Sequence, residues 1–188
     1  ELSRYETIKT IDIVEIDESV IEISKKYLPF TSCGYEDDRV TVYVEDGVDF
    51  VNKCSNSYDL IIVDSTDPIG PGEGLFTLKF YERCFKLLKD EGILVNQSES
   101  AYYNEDRVEL IRSQEKLKKV FPLVTAYQCN IPTYSSGHWL FGFASKKLNP
   151  IDDQKEEQWE KFNIRTKYYN SQLHRGAFYL PNYIKELL

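Results

Sequence analysis

Along the first 120 residues, short apolar runs are followed by stretches with apolar residues at helical spacing. This pattern predicts that strands alternate with helices. Short runs rich in β-branched residues predict buried strands at 9–16, 39–44, 58–64 and 93–98. Stretches with apolar residues at helical spacing predict helices at 17–28, 47–54, 78–89 and about 105–120. Strands that alternate with helices of this length are typical of parallel crossovers, so the pattern predicts a doubly wound α/β sheet.

Two local signals are expected to end helices in this part of the chain. Pro29 follows the first helical stretch and is predicted to stop it. The sequence Asp-Glu-Gly at 90–92 predicts a turn between the helix at 78–89 and the strand at 93–98.

The pattern changes after residue 122. The stretches 123–131 and 138–145 are strand-like, and the six residues 132–137 that join them are too few for a crossover helix. They are expected to pair antiparallel. Beyond Pro150, helices are predicted at 151–162 and 180–188. We therefore expect one domain, with its core at 1–150 and a helical extension at 151–188.

Charge and cysteine usage narrow the classes of partner. The chain has 23 Lys and Arg against 31 Asp and Glu, a net charge of −8, which disfavours binding to nucleic acid. Its four cysteines form no C-x-x-C pair, so neither a zinc site nor a disulfide framework is predicted, and the usage fits a reducing cytoplasm. No apolar run approaches the ~20 residues of a membrane span. The expected location is the cytoplasm, without a membrane or nucleic-acid partner.

Acidic and amide side chains follow all four predicted parallel strands. In open parallel sheets, ligands bind beyond the carboxyl ends of the strands, which here form one edge. The residues at this edge are Glu15, Asp17, Asp46, Asp64, Asp67, Gln97 and Glu99. Each acid also has a local alternative, since aspartate favours helix N-caps and turns. Asp17 and Asp64 suit caps, and Asp46 and Asp67 suit turns.

The charge of this edge favours a ligand with hydroxyl and amine groups. A strand-end carboxylate such as Glu15 can accept from both hydroxyls of a ribose. Asp46 with Gly47 could bind an adenine amino group, and Asp64 with Asp67 could hold a cationic amine. Tyr134 is expected at the tip of the 123–145 hairpin, where its hydroxyl could join the amine site. The two histidines, His138 and His174, lack the spacing of metal ligands and are interpreted as structural.

Six motifs in this order and spacing resemble the spermidine synthases, polyamine aminopropyltransferases with a methyltransferase-like Rossmann fold. The motifs are VEID (14–17), EDG (45–47), DSTDPIGP (64–71), QSES (97–100), IPTYSSG (131–137) and KYYNSQLHRGAF (167–178). The resemblance implies a Rossmann-like, methyltransferase-type, mostly parallel sheet that ends in an antiparallel hairpin. It also implies that the core at 1–150 is incomplete at its N-terminus, because the family's N-terminal β-domain and G-G-G-D-G turn are absent.

The resemblance further implies an activity: aminopropyl transfer from decarboxylated S-adenosylmethionine to putrescine, which gives spermidine and methylthioadenosine without a prosthetic group or a metal. Asp64 would be the catalytic base. The implied nucleotide-binding residues are Glu15, Asp46, Gly47, Pro71 and Leu75. The implied amine-binding residues are Asp64, Ser65, Thr66, Asp67, Gln97 and Tyr134.

The parent enzyme of this resemblance would be a homodimer or homotetramer in the cytoplasm, acting on small molecules alone. Two other functions stay open. The chain could be an S-adenosylmethionine-dependent methyltransferase of small amines, which would need a similar adenosine site, or a catalytically silent nucleotide-binding fragment.

Overall fold

The computed structural model describes residues 1–65 and 70–188, apart from the side chain of Pro71. These residues form two compact units. The first unit comprises Glu1–Cys54 with Glu157–Arg165, and the second comprises Ser55–Glu156 with Thr166–Leu188. The division into a core at 1–150 and an extension at 151–188 stays a prediction.

The first unit contains a two-stranded parallel sheet and the helices that follow its strands. Between Glu1 and Cys54 its elements include β1 (Ile11–Glu15), α1 (Glu18–Tyr27), α2 (Pro29–Ser32), β2 (Val40–Val44) and α3 (Gly47–Lys53). Pro29 comes after the end of α1, as expected, but it also begins the short helix α2. Proline suits the first turn of a helix because the N–H that it lacks has no partner there.

Arg39 ties the N-terminal segment of this unit to the start of β2. Its guanidinium donates to the backbone carbonyls of Ser3, Tyr5 and Ile8 at 2.5–2.9 Å. It also donates to both carboxylate oxygens of Asp37, at 2.9 and 2.7 Å. These bonds favour the charged carboxylate and lower the pKa of Asp37 to about 2.

The second unit is built on a four-stranded mixed sheet with strand order β3-β4-β6-β5. Its strands are β3 (Tyr58–Val63), β4 (Leu88–Gln97), β5 (Leu123–Asn130) and β6 (His138–Ser145). β3 and β4 are parallel, whereas β6 is antiparallel to both β4 and β5. The α/β class and the antiparallel hairpin are therefore confirmed. β3 lies at one edge of the sheet, with the side chains of Leu60 and Ile62 40% and 50% exposed.

Helices α4 (Leu78–Leu87) and α5 (Asn104–Val120) connect the strands of this sheet. α6 (Glu156–Lys161), α7 (Ser171–Phe178) and α8 (Asn182–Lys185) follow the hairpin along the chain. The pattern of apolar residues did not predict α7. Leu94 of β4, Leu117 of α5 and Leu140 of β6 have no exposed surface, so the core of this unit lies between sheet and helices.

The turn predicted at 90–92 is wrong, because these residues belong to β4. β4 begins at Leu88, directly after α4, and Leu88 pairs with Tyr58 of β3. The next pairing joins Ile93 to Leu60, so the strand accommodates residues 89–92 as an irregularity in its register. A Cβ at Gly92 would lie 2.7 Å from the Leu88 Cβ, which shows how tightly this stretch is folded.

A polar layer lies between β4, β6 and α5. Asn96 has no exposed surface, and its amide donates to the Gln97 carbonyl at 2.9 Å and to the Ser113 hydroxyl at 3.3 Å. Gly142 pairs with Asn96 across the two strands. Since paired residues of antiparallel strands share a face, a side chain at Gly142 would overlap the Asn96 amide oxygen.

Candidate active site

Two of the residues predicted for the amine site stand at the carboxyl ends of neighbouring parallel strands. Asp64 directly follows β3, and its side chain is exposed. Gln97 is the last residue of β4 and is buried, with its amide donating to the Ser98 carbonyl at 3.2 Å. These two residues therefore lie at one edge of the sheet, as expected for groups at the carboxyl ends of parallel strands.

Tyr134 is held in the turn of the β5–β6 hairpin. The backbone N–H of Tyr134 donates to the Ile131 carbonyl at 3.0 Å, and the Tyr134 carbonyl accepts from Gly137 at 2.9 Å. Gly137 has a φ of 65°, a conformation that glycine adopts without strain. The Tyr134 ring packs against Trp139, with ring centroids 4.3 Å apart.

One cavity of about 420 Å³ in the second unit is lined by Asp64, Gln97 and Tyr134 together. The structure thus assembles three of the predicted amine-site residues around one volume that suits a small ligand. The rest of the wall is mainly apolar, and it includes Leu60, Ile62, Val95, Tyr127, Trp139 and Phe141.

The other residues predicted for this part of the site differ in their placement. Ser65 follows Asp64 and is half-buried, and Leu75 is half-buried in the 3-10 helix Gly70–Phe76. Neither is among the residues that line the cavity. Thr66 and Asp67 lie outside the described residues, as does the side chain of Pro71.

The predicted nucleotide-binding residues of the first unit share one edge of its sheet. Glu15 ends β1 and pairs in register with Val44 of β2, and Asp46 follows two residues later. One carboxylate oxygen of Glu15 accepts from the Asp17 N–H at 3.0 Å, which orients the side chain. Gly47 is the first residue of α3.

Two of the acids cap helices, which was the predicted alternative for Asp17 but not for Asp46, where a turn was expected. The Asp17 side chain caps α1 by accepting from the Ser19 N–H at 2.9 Å. The Asp46 side chain caps α3 by accepting from the Val48 N–H at 2.7 Å. A cap uses one carboxylate oxygen, so the capping of α3 is compatible with a ligand bond at the other oxygen of Asp46.

The aromatic part of the cavity wall was missed from the sequence. Tyr127, Trp139 and Phe141 occupy alternate positions of β5 and β6, so they project from one face of the hairpin. Their alternation was the available signal, but which face meets a ligand depends on the tertiary structure. Burial raises the pKa of Tyr127 to about 12, which keeps its hydroxyl neutral.

Both histidines make hydrogen bonds within the second unit. His138 Nε2 is 2.9 Å from the Gln128 amide oxygen, and burial lowers the pKa of His138. His174 Nε2 is 2.8 Å from the Pro150 carbonyl oxygen. Within residues 1–65 and 70–188, no group of three or more His, Cys, Asp or Glu is arranged to hold a metal ion. No helix in this part of the chain is long and apolar enough to cross a membrane.

Comparison with known proteins agrees with the family that the sequence motifs predicted. The family model described as "Spermine/spermidine synthase domain" matches residues 1–155. The chain belongs to this family. The polyamine aminopropyltransferases of Clostridioides difficile (strain 630) and Alkaliphilus oremlandii (strain OhILAs) are each 59% identical to it. The match covers 100% of this chain and 67% and 66% of the two relatives.

A family member of known structure has the same fold. A spermidine synthase solved in complex with the transition state analogue AdoDATO aligns over 100% of this chain with a TM-score of 0.94 and 38% identity. The alignment covers 64% of that structure. The methyltransferase-like Rossmann fold predicted for the chain is therefore confirmed, and the chain spans about two thirds of the length of its relatives.

Proposed function

We propose that the protein catalyses aminopropyl transfer from decarboxylated S-adenosylmethionine to putrescine, which gives spermidine and methylthioadenosine. The observation that carries this proposal is the cavity lined by Asp64, Gln97 and Tyr134, which suits an amine with an aliphatic chain. The names of the 59%-identical relatives support the same reaction class.

In this proposal, the edge of the β1–β2 sheet binds the nucleoside. Glu15 accepts from the ribose hydroxyls, since its carboxylate is already oriented by the Asp17 N–H. Asp46 accepts from the adenine amino group while the backbone at Gly47 reaches a ring nitrogen. Pro71 and Leu75 pack against the base.

Asp64 acts as the base on the acceptor amine. An aliphatic amine has a pKa of about 10.4 and cannot attack carbon until it loses a proton. Asp64 takes that proton, and the nitrogen lone pair forms a bond to the methylene next to the sulfonium. The carbon–sulfur bond breaks, its electron pair goes to sulfur, and methylthioadenosine leaves as a neutral thioether.

The remaining amine-site residues bind the acceptor. Gln97 and Tyr134 contact it from the cavity wall, and Ser65, Thr66 and Asp67 contact it from the segment after β3. The scheme needs no prosthetic group and no metal. We further propose that the protein works in the cytoplasm as a homodimer or homotetramer, with small molecules as its only other partners.

Product analysis tests the reaction. Incubation with decarboxylated S-adenosylmethionine and putrescine is expected to give spermidine and methylthioadenosine by mass spectrometry. Methylated amine formed from S-adenosylmethionine would instead indicate the methyltransferase. Calorimetric binding of methylthioadenosine that is lost in Glu15→Ala, without any turnover, would indicate a silent nucleotide-binding protein.

The Asp64→Asn variant tests the assignment of the base. Removal of a general base is expected to lower turnover by about 10²–10⁴-fold, with little change in methylthioadenosine affinity. Asp59→Asn is the matched control, because Asp59 is an exposed aspartate of β3 that pairs with Lys89 on the surface. Equal losses of turnover and methylthioadenosine affinity in Asp64→Asn would contradict its role as base.

A further inference from the structure

Strand β4, which ends at Gln97, has one face towards the cavity and the other towards the helices. Val95 and Gln97 line the cavity, whereas Leu94 and Asn96 occupy the alternate positions of the strand and have no exposed surface. The Asn96 side chain bonds to Ser113 of α5, so helices cover this second face. Asn96 therefore lies behind the cavity wall, next in sequence to a residue of the proposed amine site.

Asn96 begins a chain of hydrogen bonds that leads from Gln97 into the interior of the second unit. Its amide nitrogen donates to the Gln97 carbonyl at 2.9 Å and to the Ser113 hydroxyl at 3.3 Å. The Ser113 hydroxyl is in turn 3.1 Å from the hydroxyl of Tyr81 in α4. Tyr81 has no exposed surface, and Ser113 is only 5% exposed. Because these side chains cannot turn into water, each one holds the next in position.

The Asn96 amide uses both of its N–H groups in this chain. The reverse orientation of the amide would place its oxygen against the Gln97 carbonyl, and two acceptors cannot share a hydrogen bond. The chain therefore fixes the rotation of the Asn96 amide and, with it, the direction of the Gln97 carbonyl. The next peptide is fixed as well, because the Ser98 N–H donates to the Leu140 carbonyl at 3.2 Å.

A buried chain of this kind contributes more to a single arrangement than to net stability. An amide and two hydroxyl groups lose their water when they are buried, and their mutual hydrogen bonds offset that cost with little surplus. A fully bonded polar chain nevertheless excludes other arrangements of the groups that it joins. Here the arrangement ends at Gln97, whose side chain lines the cavity together with Asp64.

We propose that Asn96, Ser113 and Tyr81 are positioning residues, which hold Gln97 in the orientation in which its side chain binds the acceptor amine. This inference rests on the proposed function, because it assigns supporting residues to the amine site. The three residues act through Gln97, so their loss should weaken the binding of the amine and leave the affinity for the nucleoside unchanged.

Hydroxyl deletions test the chain with small changes in volume. In Ser113→Ala, the KM for putrescine is expected to rise by about five- to tenfold, with kcat changed by less than about twofold. Calorimetry should show unchanged affinity for methylthioadenosine. Tyr81→Phe leaves the Ser113 hydroxyl able to accept from Asn96, so a rise of about twofold is expected. The double variant should resemble Ser113→Ala, since Tyr81 acts through Ser113.

A Gln97→Ala background separates positioning from stability. If the chain acts through Gln97, Ser113→Ala should not raise the KM for putrescine further once the Gln97 side chain is absent. Ile184→Val is the matched control, because this fully buried residue of α8 lies outside the chain and its loss of a methylene destabilises the second unit. Its KM should equal that of the parent.

Stability of each variant is measured by urea unfolding. The protein has two tryptophans, and Trp159 belongs to the first unit, so Trp139 emission in a Trp159→Phe background reports on the second unit alone. Ser113→Ala and Ile184→Val can then be compared at known losses of stability. The positioning role predicts that only Ser113→Ala raises the KM for putrescine.

The outcomes distinguish this inference from the proposed reaction. An unchanged KM in folded Ser113→Ala would overturn the inference, even if the protein makes spermidine. An equal rise of KM in Ile184→Val, or a further rise in the Gln97→Ala background, would overturn it as well, because the effect would then not pass through Gln97.

If no spermidine forms, calorimetric titration of putrescine with methylthioadenosine present takes the place of KM. Weaker putrescine binding in Ser113→Ala, with no such effect in the Gln97→Ala background, would support the chain and contradict the proposed reaction. Absence of putrescine binding to the parent chain would overturn both.

Discussion

Replacement of Gly142 by alanine is expected to destabilise the second unit by about 2–4 kcal/mol. Gly142 faces Asn96 across β6 and β4, and the added Cβ would overlap the Asn96 amide oxygen. It would also lie 3.2 Å from Asn96 Cγ and 3.3 Å from the Gln114 amide nitrogen. Because these side chains are buried, neither can turn into solvent to make room.

The magnitude follows from two costs. Overpacking of a filled interior costs about 1–3 kcal/mol. If Asn96 moves to relieve the overlap, its amide loses the bonds to the Gln97 carbonyl and the Ser113 hydroxyl. A buried polar group left without a partner costs about 1–3 kcal/mol. A movement of Asn96 that relieves the overpacking also breaks its hydrogen bonds, so the two costs partly replace each other. The expected total is therefore below their sum.

Urea unfolding followed by Trp139 emission in the Trp159→Phe background measures the stability of the second unit. With a slope of about 2 kcal/mol per molar, the midpoint should fall by about 1–2 M. Gly176→Ala is the matched control, because Gly176 lies within α7 with nothing within 4 Å of the added Cβ. Its midpoint should rise slightly, since alanine favours a helix over glycine by about 0.5–1 kcal/mol.

A Gly142→Ala midpoint within about 0.2 M of the parent would refute the reasoning, because it would mean that the polar layer adapts at almost no cost. Equal destabilisation by Gly176→Ala would also refute it, since the loss would then not depend on the space around the new methyl group. A second readout is diamine affinity, which should fall in Gly142→Ala because Asn96 holds the Gln97 backbone.

Three further predictions concern the ion pair of Asp37 with Arg39 and the side-chain caps of α3 and α4. Asp37 has a folded pKa of about 2 against its ordinary 3.8, so its stabilisation is present above pH 3.8 and is lost as pH falls through 2. The stability difference between wild type and Asp37→Asn should therefore be constant above pH 5 and shrink in acid titrations followed by circular dichroism. Asp46→Ala should destabilise the first unit by about 1 kcal/mol and Asp46→Asn by a few tenths in urea unfolding. Because Asp46→Asn keeps most of the cap of α3, a loss of nucleotide affinity in this variant would report on the contact with the ligand and not on the stability of the helix. Thr77→Ala should cost about 1 kcal/mol in the same assay, because the Thr77 hydroxyl caps α4; a change below 0.3 kcal/mol would contradict it.

Runs of β-branched residues predicted the parallel strands, and apolar residues at helical spacing predicted the long helices, so most of the fold could be read from the sequence. These patterns failed where tertiary pairing decides the conformation. Residues 90–92 have the composition of a turn, yet the pairing of Leu88 with Tyr58 draws them into β4. Helix α7 is short, and its clearest signal was local: the Asn170 side chain caps it by accepting from the Leu173 N–H.

Some residues of the candidate site could be predicted from the sequence, and others could not. Asp64 and Gln97 could be placed because the carboxyl ends of parallel strands share an edge whatever the details of packing. Trp139 could not, since its part in the cavity depends on which face of the hairpin is left uncovered. A strand-end rule finds polar groups at the rim of a sheet, but the apolar wall of a cavity is a property of the whole unit.

The position of β3 at the edge of its sheet leaves backbone groups available for a further strand. β3 pairs with β4 on one side, and no described strand pairs with its other side. Its sequence, YDLIIV, has one charge and neither lysine nor proline, the residues that usually protect such edges. A row of backbone groups beside exposed Leu60 and Ile62 is a template for strand addition between molecules. A segment that added to this edge would extend the sheet by pairing with the backbone groups on that side of β3.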